Sequence, residues 1–97
     1  MALSQLDLDL GLEAPCDLNT FWACVDGADR GRAERQISDV LRARYTAGGL
    51  IRKTYRECAA LWRVSEGRAQ AIVTRALRRM QHPMYMRQYR KGGNGNG

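Results

Sequence analysis

The chain of 97 residues has a single histidine, two prolines and three cysteines, and each scarcity removes a class of chemistry. With His82 alone, a catalytic pair or triad built on imidazole lacks its partners. No glycine-rich phosphate loop or metal-spaced set of carboxylates takes its place. The expectation is a protein that is not an enzyme and needs neither cofactor nor metal. Cys16, Cys24 and Cys58 are odd in number and far apart, which fits reduced thiols and neither a disulfide framework nor a zinc site. No apolar stretch approaches the length of a bilayer, and the first 29 residues contain no Lys or Arg where a signal peptide needs one. A soluble, cytoplasmic protein with no membrane partner is expected. A second convincing strand is also missing, so no sheet can form, and the fold expected is all-α, a small helical bundle.

What is present is charge, unevenly placed. Residues 1–29 hold Asp7, Asp9, Glu13, Asp17, Asp26 and Asp29, whereas residues 30–97 hold all sixteen Lys and Arg against four acids. The two parts therefore carry formal charges of minus six and plus twelve, and the net charge of +6 understates the field of the basic part. Charge of this density calls for a polyanion. A mobile acidic leader can fold back over the basic face and compete with phosphates, which would make it autoinhibitory; the plainer reading is an ordinary acidic arm.

Hydrophobic spacing divides the chain into an acidic, flexible N-terminal arm (1–16), a helical domain (17–83) and a tail (84–97) that is basic and then rich in Gly and Asn. In the arm, Leu6, Leu8, Leu10 and Leu12 alternate with Asp7, Asp9, Gly11 and Glu13, a period of two that suits an extended segment. Asp17 or Asn19 can cap a short helix through Phe21, Trp22, Cys24 and Val25. The clearest signal is the run 54–83. Thr54 and Glu57 form a capping box ahead of an inward stripe of Cys58, Ala59, Leu61 and Trp62. Ala59 is small enough to let a second helix approach closely. Val64 then plugs a tight turn, Ser65 caps the next helix, and Ala69, Ile72, Val73, Ala76, Leu77 and Met80 keep helical spacing. The opposite face carries Arg68, Gln70, Thr74, Arg75, Arg78 and Arg79, and Pro83 stops the helix. Two helices over a short turn, the second rich in arginine, point to double-stranded DNA. Beyond Pro83, residues 84–91 read as one more basic helical turn or an arm, with Tyr85 and Tyr89 as packing or stacking groups.

Laid without a gap, Thr54 to Pro83 resembles the second half of region four of bacterial primary sigma factors. The matching residues are Thr54, Glu57, Val64, Arg68, Ile72, Ala76, Leu77, Arg78, His82 and Pro83, with Ser65 where the family often has threonine. The most specific part is the closing Ala-Leu-Arg-Arg-Met-Gln-His-Pro. Upstream, Arg35 to Tyr45 resembles the helix that opens region four, with Ile37, Val40, Leu41 and Tyr45 as its buried stripe and Thr46 to Arg52 as the linking loop.

The resemblance implies a sigma region-four-like helix-turn-helix and a DNA-binding set of Ser65, Glu66, Arg68, Gln70, Ala71, Thr74, Arg75, Arg78 and Arg79. It also implies a groove for the flap of RNA polymerase, served by Ile37, Leu41, Tyr45, Leu61 and Trp62. Free-standing modules of this type occur in small phage and bacterial transcription regulators, where they bind DNA, RNA polymerase or both, and 97 residues have room for one such module. The family's base readers are an arginine, a glutamate and a glutamine; here those positions are Glu66, Gly67 and Ala71. What remains, Arg68 and Gln70 and then Arg75, Arg78 and Arg79, suits phosphates better than a long base code. The function expected is a nucleoid-associated, DNA-binding transcription regulator. One alternative is a polymerase-binding antiterminator, appropriator or inhibitor with little base readout. The other is a DNA-packaging or recombination accessory factor.

Overall fold

A computed structural model of the chain describes residues 2–28 and 35–90. Among the described residues the regular structure is six helices: α1 (Gln5–Asp9), α2 (Leu18–Ala28), α3 (Ile37–Arg44), α4 (Tyr55–Trp62), α5 (Glu66–Met80) and α6 (Pro83–Tyr89). Among the described residues the only β pairing is an isolated bridge between Tyr45 and Ile51, so the fold is all-helical, as the sequence leads one to expect. The Gly/Asn-rich tail expected from residue 92 lies outside the described residues.

The leucine-acid alternation near the start does not give an extended segment. It folds as α1, because local capping outweighs the period of two. Ser4 and Asp7 form a capping box, with the Asp7 N–H donating to Ser4 Oγ and the Ser4 N–H to Asp7 Oδ2. At the other end Gly11 takes a left-handed φ of 78°, and the N–H groups of Leu12 and Gly11 close back on the carbonyls of Asp7 and Leu8. This is a Schellman ending. Leu6 and Leu10, four residues apart, share the inward face and are buried; Leu8 is left exposed. Helix α1 also docks on the loop after α3, where the Leu6 N–H donates to the Gly49 carbonyl at 3.0 Å. A side chain at Gly49 would place its Cβ 2.6 Å from Ser4 Oγ, and its φ is 86°, so glycine is required there on both counts.

The main core lies between α1, α2, α3, α5 and α6. Phe21 sits at its centre, edge-to-face with Trp22 and with Tyr89, each at 5.1 Å. Polar ends of Tyr89, Trp22 and Tyr45 are all satisfied. Tyr89 donates to the Met80 carbonyl at 2.6 Å, Trp22 Nε1 to the Ala47 carbonyl at 3.1 Å, and Tyr45 to Asp9 Oδ2 at 2.5 Å. Asp17 caps α2, its Oδ1 accepting from the Thr20 N–H.

Pro83 does more than end a helix. Helix α5 closes at Met80, and Pro83 then opens α6 at a first-turn position where its missing N–H costs nothing. His82 caps that helix through Nδ1, which accepts from the Met84 N–H. Tyr85 and Tyr89 of α6 are buried; they are packing groups, and residues 83–89 belong to the helical body, not to a tail.

Candidate nucleic-acid interface

Helices α4 and α5 meet over a three-residue connection, Arg63, Val64 and Ser65, and a small cluster of Cys58, Ala59 and Ala69 holds them together with Trp62 and Val64 at its edge. Three short side chains in contact bring the two backbones close. The local chemistry agrees with the spacing. Thr54 accepts from the Glu57 N–H while Glu57 Oε1 accepts from the Thr54 N–H, and Ser65 Oγ accepts from the Arg68 N–H at 3.1 Å. Arg63 takes the left-handed conformation, with φ 58°. That turns the chain so that the Val64 N–H reaches the Ala59 carbonyl.

Helix α5 presents two distinct sides. Ala69, Val73, Ala76, Leu77 and Met80 are buried, with Ile72 partly buried against the same core. Ser65, Glu66, Arg68, Gln70, Ala71, Arg75, Arg78 and Arg79 are exposed, and Thr74 is half-buried. An open depression runs along the outer side, lined by Gly67, Gln70, Ala71, Thr74, Arg75 and Arg78. The sequence-based set therefore falls on one helix face. With 100° between successive residues, Arg68 and Arg79 fall on one flank of that strip, and Gln70 and Thr74 on the other.

The arginines of this molecule differ in how they are used. Arg44 is buried, donates to the Lys53 carbonyl at 2.9 Å and lies 3.8 Å over the Tyr55 ring. Arg42 pairs with Asp26 and stacks on Trp22, and Arg35 reaches the Trp62 carbonyl and ring. By contrast, no ion pair or hydrogen bond to a described residue engages the guanidinium of Arg68, Arg75, Arg78 or Arg79. The sole carboxylate on α5 is Glu66, at its first turn. Such a face can attract phosphates without first breaking internal pairs.

Gly67, outside the sequence-based set, also lines the depression. A Cβ at this position would meet nothing within 4 Å, so neither packing nor backbone conformation calls for glycine. Glycine inside a helix costs about 1 kcal/mol relative to alanine, and the space it leaves opens outward.

Residues expected to serve a polymerase groove are divided. Leu41 and Tyr45 are core, Ile37 and Trp62 are partly buried, and Leu61 is 55% exposed. The expectation of Leu61 as an inward residue is thus corrected: on a helix of only eight residues, the inner face is filled by Cys58 and Ala59, and Leu61 falls outside it. Nor does the acidic leader offer its charge to the basic face. Asp7 is 3% exposed and is held by Ser4 and the Cys16 N–H; Asp9 accepts from Tyr45 and Gln5. These two acids are engaged inside the fold, and the leader is a docked helix, not the mobile arm that autoinhibition requires.

The cysteines are all buried and free. Burial, reinforced by Asp7, pushes the Cys16 thiol up to about 12, and burial likewise raises Cys24 and Cys58, so all three are poor nucleophiles near neutral pH. Among the described residues no helix is long and apolar enough to cross a membrane, and no cluster of His, Cys, Asp and Glu is arranged to hold a metal. No family model, curated protein or solved structure matches the chain.

Proposed function

We propose that this protein is a DNA-binding transcription regulator in which α4 and α5 act as a helix-turn-helix and α5 enters the major groove. The observation that carries the reading is the outer face of α5: exposed guanidinium groups along one helix, with none of them engaged by a described residue. Shape readout and phosphate contact are what such a face is suited to. The likeness of residues 54–83 to region four of primary sigma factors supplies the frame, and the tight, capped connection between the two helices fits it.

One observation favours a second reading, that the protein binds RNA polymerase and reads few bases. Leu61 is a large apolar side chain left on the surface of α4, beside a helix whose family base-reading positions hold Glu66, Gly67 and Ala71. Selection from random duplex DNA by the purified full chain, alone and with RNA polymerase, separates the two. A consensus obtained with the protein alone supports the first reading, and enrichment only with polymerase supports the second. No enrichment in either arm rejects both.

A further inference from the structure

We propose that the outer strip of α5 reads A·T base pairs, through the side-chain amide of Gln70 and the methyl group of Thr74. This rests on the DNA-binding reading above and narrows it to a class of target. On the flank that carries Gln70 and Thr74, the first turns of the strip hold nothing that can grip guanine. Gly67 has no side chain, Ala71 ends in a methyl group and Glu66 is acidic, whereas guanine is met by Arg or Lys at O6 and N7. Arg75 and Arg78 also line the strip, but at 100° per residue Arg75 falls beside Arg68 on the flank opposite Gln70, and Arg78 lies one turn beyond Thr74. The groups left are Gln70 and Thr74. A glutamine amide matches the N6 donor and N7 acceptor of adenine, and a threonine methyl packs on the C5 methyl of thymine.

The spacing fits. Gln70 and Thr74 are four residues apart on one side of a helix, so their Cα atoms are separated by about 6 Å along the axis. Base pairs rise about 3.4 Å per step, so the two side chains reach pairs about two steps apart. The outward space at Gly67 and the short Ala71 beside them let the helix lie close to the base edges, which the short Thr74 needs in order to touch them. The phosphate contacts then fall to Arg68, Arg75 and Arg79 on one flank and to Arg78 beyond.

The test uses the duplex selected by the full chain. Thymine is replaced by deoxyuridine, which lacks only the methyl group, one position at a time, and adenine by 7-deazaadenine, which lacks the N7 acceptor. At one thymine, deoxyuridine should weaken the wild-type protein roughly fourfold and leave Thr74→Ser, which keeps the hydroxyl, indifferent. At one adenine, 7-deazaadenine should weaken the wild type roughly fivefold and leave Gln70→Ala indifferent. Both side chains lie outside the core, so both variants should retain the wild-type circular dichroism spectrum. A consensus of G·C pairs, binding with no consensus, or indifference of the wild type to both analogues overturns the A·T reading while leaving DNA binding in place. Failure to bind any duplex at low salt overturns both.

Discussion

The two halves of this small fold are built by different means. The α4–α5 pair is local: neighbouring helices, caps made within three residues, and three small side chains, Cys58, Ala59 and Ala69, at the contact. The body formed by α1, α2, α3 and α6 is distant in sequence and aromatic. Asp17 meets Tyr89, Trp22 meets Ala47, Tyr45 meets Asp9 and Leu10 meets Gln81. In the body Asp7 and Arg44 are buried and Arg42 pairs with Asp26; α5 leaves its arginines outside. The difference teaches that stability and the candidate interface are separable here, since the residues that hold the body do not lie on the outer face of α5.

That separation can be broken most forcefully at Phe21. Truncation to alanine removes a fully buried ring from two aromatic contacts and should cost about 3–5 kcal/mol in denaturant unfolding. A loss below about 1 kcal/mol would show that the body is not organised around this ring. On the other side of the comparison, Arg75→Ala with Arg78→Ala should leave stability within about 0.5 kcal/mol of wild type. The same double variant should lower the slope of log affinity against log salt by about two. A large fall in melting temperature would mean that these arginines are structural after all.

Asp7 offers a pH test confined to the body. Burial alone would raise its carboxyl, but hydrogen bonds from Ser4 and Cys16 outweigh burial and hold it below its ordinary value of 3.8. A group lowered in the folded state stabilises fully above its unfolded pKa, and the contribution fades as pH falls through the folded one. Stability should therefore decline in acid below about pH 4. Asp7→Asn should cost about 1–3 kcal/mol at neutral pH through the mismatched donors and flatten the acid decline. An unaltered pH profile in this variant would assign that decline to other carboxylates. Smaller still, Ser65→Ala should remove the α5 cap at a cost of about 1 kcal/mol, detectable as a lower denaturation midpoint.

The smallest effect is the most telling for the comparison. Gly67→Ala should stabilise the protein by about 0.5–1 kcal/mol, because a helical glycine is replaced and the new methyl group meets no neighbour. The same change should weaken duplex binding, measured by fluorescence anisotropy. Equal or tighter binding would mean that the outward space at Gly67 serves no close approach.

Much of the α4–α5 pair was legible from the residues alone. The Thr54–Glu57 box, the Ser65 cap and the buried stripe of α5 stand where spacing put them, because each depends on residues a few positions apart. The exposed set of the candidate interface followed from the same periodicity. Leu61 was misplaced because a helix of two turns has too few residues for its inner face to be fixed by pattern. The leucine-acid alternation misled for a related reason. Its period of two also contains Leu6 and Leu10 at a spacing of four, and the Ser4 box and the left-handed Gly11 that select the helix occupy single positions.

Sequence by itself determined the helical class, the charge asymmetry, the caps of α4 and α5 and the polar strip on α5, all of them properties of local spacing and composition. Only the tertiary structure decided that the acidic start is a docked helix, that residues 83–89 belong to the body, and which arginines are consumed internally. Those outcomes depend on contacts between segments tens of residues apart. There burial of Leu6, Leu10, Tyr85 and Tyr89 repays the ordering of short helices that would not hold their shape alone.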